Sequence, residues 1–278
     1  MDPILYQLLP YMCQFIGTES DQGVSQSCLQ ALSYLSVCIL PAHALAPCLH
    51  MLQRCVTSTS YKTKLSILEF LQTVVFTNFT SFVSNNELRS KVISFTTDLL
   101  TDSHITVRQK AAKILGGLLH SGFVGDEAVT ELLTGLRSKV RVKLTRRQPG
   151  KRFRKEAEQT GEQGQAGNNN TGDKLVTLHS GILGLCAFVE AFPHDVPTFI
   201  PPILMELSTH LNDPQVCINK IFVQHLPTNL LQPVPMTIKK TLQEFKRTHQ
   251  DNWQVRIYPL SLIRGYKHIL TGAQNKVY

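Results

Sequence analysis

Apolar residues recur at helical spacing, three or four positions apart, through most of the 278-residue chain, and turn-forming residues separate these runs. No competing strand pattern is present. The pattern predicts ten helices, over residues 3–17, 22–39, 42–57, 60–79, 86–101, 104–121, 126–144, 174–191, 196–211 and 236–250. Helices of this length with short connections are typical of stacked antiparallel pairs, so the predicted fold is an all-α solenoid.

The segment 101–115 narrows the prediction to a HEAT-type repeat. Asp102 ends one helix and is placed to cap the next. Arg108 follows six residues later, where its guanidinium can reach an aspartate of its own or a neighbouring turn and stabilise the repeat. The packed face of this helix would consist of Val107, Ala111, Ala112 and Leu115. An ordinary amphipathic helix with a capped start is the alternative interpretation.

Two segments interrupt the helical pattern. Residues 148–173 are rich in Gly, Gln, Asn and charge and almost without apolar residues, which predicts a disordered loop. Asp213 and Pro214 resemble a capped helix start, but residues 216–232 lack clean helical periodicity. The repeat-like pattern resumes only from Pro235, so residues 216–232 are interpreted as an insert.

One uncharged run raises the question of a membrane span. From Gln22 to Gln53 the chain contains no Asp, Glu, Lys or Arg. Pro41 lies near the middle of this run and would break a spanning helix. Two buried helices joined at a turn explain the run better, and no association with a membrane is predicted.

The composition is that of an intracellular protein with a sizeable core. Hydrophobic residues make up 42% of the chain, and its amino terminus lacks the basic residues of a secretory signal. The seven cysteines are an odd number and contain no CxxC pair. Only Cys48, His50 and Cys55 lie close together, without the spacing of a zinc site. We therefore expect reduced, packed thiols and no bound metal.

The net charge of +8 is concentrated in one segment. Residues 137–155 contain ten basic and no acidic residues, whereas the rest of the chain has 18 basic and 20 acidic ones. Three interpretations stay open: a solvated helix end, a nuclear localisation signal, and a nucleic-acid contact. The last is the least favoured, because only Phe153 offers a ring for base stacking. The two clusters of the candidate localisation signal are Arg146 and Arg147, and Lys151, Arg152, Arg154 and Lys155.

The sequence shows no arrangement of catalytic residues. The nucleophile elbow GxSxG, the metalloprotease motif HExxH and the phosphate-binding motifs GxxxxGK[ST] and GxGxxG are all absent. His120, His179 and His210 stand singly in predicted helices, where a histidine is more often a hydrogen-bonded packing residue than a ligand. We expect no enzymatic activity and no cofactor.

Two long stretches carry a resemblance to a known family. They are residues 195–215, DVPTFIPPILMELSTHLNDPQ, and residues 238–253, IKKTLQEFKRTHQDNW. Both resemble the C-terminal region of the proteasome activator complex subunit 4 family, a family of HEAT-repeat proteins that cap the proteasome core particle. Weaker, mainly hydrophobic similarities at 70–76 and 107–123 extend the resemblance over most of residues 60–254.

The resemblance implies an ATP-independent activator of the core particle, found in the nucleus and cytoplasm, with family roles in DNA repair and spermatogenesis. It also implies recognition of acetylated histones through a bromodomain-like region, here at about residues 60–125. Phe82 and Phe123 match the aromatic positions of that region. Gly122 stands where the family has an asparagine that would donate a hydrogen bond to the acetyl group. Acetyl-lysine binding and a role as core residues stay open as alternatives for the two rings.

Taken together, pattern and resemblance divide the chain into four parts. These are HEAT-like repeats at 1–147, the loop at 148–173, further repeats at 174–254 with the insert at 216–232, and a tail unlike the family at 255–278. The family ends with a tyrosine before one final residue, whereas Tyr278 is last here, so we expect no gate opening through an inserted tail. The sequence is thus interpreted as a truncated activator with an altered C-terminus; the alternative is a free-standing nuclear HEAT-repeat adaptor without proteasome activation.

Overall fold

The computed structural model describes residues 3–18, 21–57, 60–142, 166–211 and 233–249. Within these ranges a 3-10 helix, Pro3–Leu8, leads into eleven α-helices, and no strand occurs. The helices are α1 (Leu9–Thr18), α2 (Gln22–Ser36), α3 (Ala42–Val56), α4 (Tyr61–Thr77), α5 (Phe79–Val83), α6 (Asn86–Leu99), α7 (Ile105–His120), α8 (Asp126–Val140), α9 (Ala166–Ala191), α10 (Ile200–Thr209) and α11 (Pro233–Thr248). The all-α, HEAT-type fold predicted from the periodicity is confirmed.

The chain divides into two compact units, Met1–Ala187 and Phe188–Tyr278. In the first unit α3 packs on α4 and α6 packs on α7, and the two pairs stack with α3 beside α6 and α4 beside α7. Helix α1 contacts α2, α3 and α4 at one end of this stack. The face predicted for α7 is buried in it, through Val107, Ala111, Ala112 and Leu115. The core of the unit therefore lies where consecutive helix pairs meet.

Polar residues just before the helices fix where two of them begin. The Asp21 carboxylate accepts hydrogen bonds from the backbone N–H groups of Gly23 and Val24, at 2.8 and 3.2 Å. Asn85 caps α6 in the same way. Each cap accepts from two backbone N–H groups that have no partner within the helix. This stabilises the helix start at that position.

The prediction of one helix over residues 60–79 is wrong at its end. Helix α4 ends at Thr77, Asn78 breaks the helix, and the short helix α5 begins at Phe79. The side chain of Asn78 is buried; its Oδ1 accepts a hydrogen bond from the Leu40 N–H at 2.7 Å, and its Nδ2 donates to the Cys38 carbonyl at 3.2 Å. These bonds pair the backbone of the turn between α2 and α3. A tertiary contact of this kind has no signature in the local sequence.

The predicted helix 196–211 also begins later than expected, at Ile200. Pro201 and Pro202 occupy its first turn, where an N–H has no partner within the helix and proline is tolerated. Helix α9, in contrast, begins earlier than predicted. That helix begins at Ala166 rather than at 174, so the last eight residues of the predicted disordered loop are helical. Residues 148–165 of the loop, the insert 216–232 and the tail 255–278 lie outside the described residues.

Helix α9 is long and largely buried from Asp173 onward. Its segment Asp173–Ala191 is the one described helix that is long and apolar enough to cross a membrane, and 72% of that stretch is buried inside the protein, as in a core helix. Gly181 and Gly184 let it approach α8 closely. A Cβ atom at Gly181 would lie 2.7 Å from Val140 Cγ2, and one at Gly184 would collide with the side chain of Leu136.

The second unit is built from the last turn of α9 with α10 and α11. The ring of Phe199 meets those of Phe188 and Phe192 edge to face, with centroids 5.9 and 5.5 Å apart. The Thr241 hydroxyl of α11 donates a hydrogen bond to the Glu190 carboxylate at 2.8 Å. These contacts give the unit an aromatic centre and a polar tie between α11 and the end of α9.

Candidate functional site

The repeat motif forms a buried polar network at the turn before α7. Arg108 is fully buried, and its Nη1 donates hydrogen bonds to the carbonyl oxygens of Asp102 and Ser103, at 2.7 and 2.9 Å. Its Nε donates to Nδ1 of His179 on α9, at 3.1 Å. One guanidinium thereby pairs two backbone carbonyls of the turn before α7 and links this turn to a side chain 71 residues further along the chain.

Asp102 uses its carboxylate differently from what the sequence suggested. Its Oδ2 forms an ion pair with Nζ of Lys64 on α4, at 2.6 Å. Its Oδ1 accepts a hydrogen bond from the His104 N–H at 2.7 Å. The expected contact between the Arg108 guanidinium and an aspartate carboxylate is replaced by bonds to backbone oxygens. His104, not Asp102, is the N-cap residue of α7. Asp102 lies two residues too early to cap the helix and stabilises the turn ahead of it.

Burial sets the protonation of this network. Removal from water and, to a smaller extent, the neighbouring Arg108 charge together lower the pKa of His179 to about 3. Burial also lowers the pKa of Arg108, which the Asp102 carboxylate opposes. At neutral pH the pair is a neutral imidazole that accepts from a charged guanidinium. The network therefore joins the turn before α7 to α9 through an uncharged imidazole.

Gly122 has a conformational role at the end of α7. Its φ of 70° lies in the left-handed region, which glycine adopts without steric cost. The N–H of Phe123 bonds to the Leu118 carbonyl and the N–H of Gly122 to the Leu119 carbonyl, at 3.0 and 3.1 Å. This is a Schellman motif, in which the residue after the glycine turns back onto the helix. The backbone itself therefore directs Phe123 into the core.

Phe82 and Phe123 lie side by side inside the protein. Both rings are fully buried, and their centroids are 6.4 Å apart. Phe79 closes the cluster, with its ring 5.8 Å from that of Phe123. Neither of the predicted acetyl-lysine residues presents a ring to solvent in this conformation.

The structure describes only some of the other residues that the sequence analysis singled out. All six residues of the candidate localisation signal lie outside the described residues, namely Arg146, Arg147, Lys151, Arg152, Arg154 and Lys155. Six of the seven cysteines are described, and each is a free thiol. Within the described part of the chain, no group of three or more His, Cys, Asp and Glu side chains converges as in a metal site.

Sequence reasoning missed Lys64 and Asn78 as parts of the repeat framework. Lys64 reaches Asp102 across 38 residues of sequence, and Asn78 reaches back over a similar distance to Leu40. No sequence motif at Lys64 or Asn78 predicts these contacts. For His179 the prediction of a hydrogen-bonded packing residue is confirmed by its bond to Arg108, although its partner was not identified.

Comparison with known proteins gives one consistent result. A sequence profile described as "Proteasome activator complex subunit 4-like, C-terminal" matches residues 175–228 and 221–259. Proteasome activator complex subunit 4 of Homo sapiens is 34% identical over 251 residues, which is 89% of this chain and 12% of that protein. Proteasome activator complex subunit 4A of Danio rerio is 33% identical over 91% of this chain, and proteasome activator subunit 4 of Arabidopsis thaliana is 24% identical over 92%. The chain spans about 12% of the length of the curated relatives it matches.

Proposed function

We propose, because this chain is homologous to a segment of the proteasome activator complex subunit 4 proteins, that it acts as a helical-repeat scaffold that binds the proteasome core particle. The observation that carries the proposal is the 34% identity to the human activator over 251 residues. Stacked helix pairs with a buried polar framework supply a stable binding surface. The proposed role is therefore regulatory: the chain binds the core particle without ATP, and the core particle performs the hydrolysis.

Co-purification tests this proposal. The tagged 278-residue chain is incubated with purified core particles without ATP, and the bound fraction is measured together with hydrolysis of a fluorogenic peptide. We expect the core particle to be retained on the chain, and the chain alone to hydrolyse nothing. A folded chain that retains no core particles would contradict the proposal and favour the alternative, a free-standing adaptor.

A second chain that ends at Gln254 separates binding from activation. If residues 255–278 do not open the gate, both chains retain core particles equally and neither accelerates peptide hydrolysis. Acceleration that depends on those residues would contradict this expectation.

Histone recognition is not part of this proposal. Acetyl-lysine binding would require Phe82 and Phe123 to separate and expose their rings, and burial of both opposes this. We do not extend the proposal to acetylated histones, DNA repair or spermatogenesis. For location we propose the nucleus, on the strength of the two basic clusters between residues 146 and 155, and the cytoplasm, which the resemblance to the family implies.

A further inference from the structure

Two cysteine thiols contact each other where α1 packs on α3. Cys13 lies in the middle of α1, and Cys55 lies in the last turn of α3. Their side chains form a hydrogen bond with each other. Both are free thiols, and both are buried, with exposed fractions of 3% and 5%. The fold therefore places two reduced sulfurs from different helices side by side.

Further contacts hold the backbone on both sides of this thiol pair. The Thr63 hydroxyl of α4 is fully buried and donates a hydrogen bond to the Cys13 carbonyl at 3.0 Å. The Thr57 hydroxyl donates to the Arg54 carbonyl at 2.6 Å, at the end of α3. A disulfide forms without strain only where the backbone already holds two cysteines close together. Two touching thiols on packed helices can meet this requirement by rotation of their side chains.

The hydrogen bond makes the two thiols unequal as acids. The Cys13 S–H donates and stabilises a thiolate at Cys55, and the Arg54 charge adds to this effect. Together they lower the pKa of Cys55, which burial opposes. The same hydrogen bond, followed by burial, raises the pKa of Cys13. Because the thiolate is the reactive form of cysteine, Cys55 is the nucleophile of the pair and Cys13 keeps its proton.

The neighbouring thiols are less suited to react. Cys48 is buried, and burial raises its pKa to about 12, so that it stays protonated at neutral pH. Cys28 of α2 lies near enough to Cys13 for its charge to raise the pKa of Cys13. The thiol of Cys13, however, bonds to Cys55. Cys28 is therefore the competing partner for Cys13, and Cys55 is the favoured one.

We propose that Cys13 and Cys55 are a modification site at which a peroxide forms a disulfide that ties α1 to α3. Burial of both sulfurs favours an oxidant as small as hydrogen peroxide over a bulky disulfide such as oxidised glutathione. This inference goes beyond the proposed binding to the core particle and does not depend on it.

The reaction takes two steps. The Cys55 thiolate attacks one oxygen of hydrogen peroxide, the O–O bond breaks, hydroxide leaves, and Cys55 becomes a sulfenic acid. The Cys13 sulfur then attacks the Cys55 sulfur, and the sulfenic hydroxyl leaves with the Cys13 proton as water. One S–S bond has formed, the two thiols have lost two electrons, and the peroxide has gained them. A thiol reductant reverses the modification.

The disulfide would fasten one end of the helix stack. Helix α1 contacts α2, α3 and α4 there, and the bond joins it covalently to α3. The bond also closes residues 13–55 into a loop, which restricts the unfolded chain. We expect the unfolding midpoint of the full chain to rise by about 5–10 °C on oxidation. An unchanged midpoint in a chain that carries the disulfide would overturn the fastening of α1, and this measurement requires no substitution.

Peptide mapping of the full chain tests the pairing. The reduced chain is treated with hydrogen peroxide, the remaining thiols are blocked with N-ethylmaleimide, and the chain is cleaved with trypsin and Glu-C, which cut after Arg54 and Glu19. Cys13 then lies in residues 1–19, Cys55 in residues 55–62, and Cys28, Cys38 and Cys48 together in residues 20–54.

We expect residues 1–19 joined to residues 55–62 as the main disulfide product, and its disappearance after treatment with a thiol reductant. Either peptide joined mainly to residues 20–54 would overturn the inference. So would a folded, peroxide-treated chain in which residues 1–19 and 55–62 stay unlinked.

Two variants test the unequal roles of the thiols. In Cys13→Ser the sulfenic acid at Cys55 has no thiol partner, so dimedone should label Cys55 at least about fivefold more than it labels Cys13 in Cys55→Ser. Cys48→Ser is the matched control, because it removes a buried thiol outside the pair and should form the parent disulfide. Circular dichroism of the reduced variants checks that each is folded. Equal labelling of Cys13 and Cys55 would overturn the assignment of Cys55 as the nucleophile.

Discussion

Arg108 shows how one buried side chain joins parts of the chain that are distant in sequence. It has no exposed surface, yet it bonds to two carbonyl oxygens of its own turn and to His179 on α9. A charged group is tolerated in such a place only where its hydrogen bonds replace those of water. The arginine of the repeat motif could be predicted from its spacing to Asp102. Its partner could not, because 71 residues separate the two side chains.

His179 should make the stability of the protein depend on pH. In the folded chain its pKa is lowered to about 3 by burial and by the Arg108 charge, against an ordinary value of 6.5. Between these two pH values the unfolded chain binds the extra proton, so the free energy of unfolding falls as pH falls below about 6.5. From about pH 7 to about pH 5, we expect His179 to account for a loss of about 2 kcal/mol.

The variant His179→Gln keeps an acceptor for Arg108 and removes the titration. Urea unfolding followed by circular dichroism at the two pH values measures the loss in each chain. The variant should lose about 2 kcal/mol less than the parent, whereas His50→Gln, at an exposed position of α3, should behave like the parent. Parallel losses in the parent and His179→Gln would show that the imidazole is not the titrating group.

At the scale of helices, the sequence predicts where elements exist better than where they end. Asp21 and Asn85 mark the starts of α2 and α6 because a short polar side chain can satisfy N–H groups of the first turn. The break at Asn78 and the late start of α10 at Ile200 depend on a distant turn and on a pair of prolines. Residues 166–173 are poor in apolar side chains, so periodicity could not assign them to α9.

The contact of α8 with α9 should be sensitive to a single methyl group. Gly181→Ala places a Cβ atom 2.7 Å from Val140 Cγ2 and 2.9 Å from the Leu136 carbonyl oxygen, and the helices must move apart to accept it. We expect this variant to lose about 1–3 kcal/mol of stability, measured by thermal unfolding. Gly135→Ala is the control, since its Cβ meets nothing within 4 Å and alanine favours a helix by up to about 1 kcal/mol. Equal unfolding midpoints for the two variants would contradict the close approach.

At the scale of the whole molecule, charge is distributed very unevenly. The ten basic residues between 137 and 155 account for all of the net charge of +8, while the rest of the chain is slightly acidic. A block of like charge such as this is typical of a segment that contacts an acidic partner. We propose that it acts as a nuclear localisation signal.

Substitution of two neighbouring basic residues tests the signal in cells. The full chain is fused to a reporter too large to diffuse freely through nuclear pores, and the ratio of nuclear to cytoplasmic fluorescence is measured. Arg146→Ala with Arg147→Ala should lower that ratio severalfold. Lys239→Ala with Lys240→Ala removes two exposed neighbouring charges from α11 and should leave it unchanged. The same ratio in both double variants would rule out a signal at 146–147.

The amino-acid sequence by itself determined the all-α class, the paired helices, the repeat motif at Asp102 and Arg108, and the resemblance to an activator family. These properties follow from local spacing: apolar residues every three or four positions select helices, and a polar residue before an apolar run selects a helix start. Only the tertiary structure decided that Arg108 bonds to His179, that Lys64 pairs with Asp102, and that Phe82 and Phe123 are enclosed. The reason is physical: each of these features is a contact between segments far apart in the chain, and the free energy of such a contact depends on packing that no local pattern encodes.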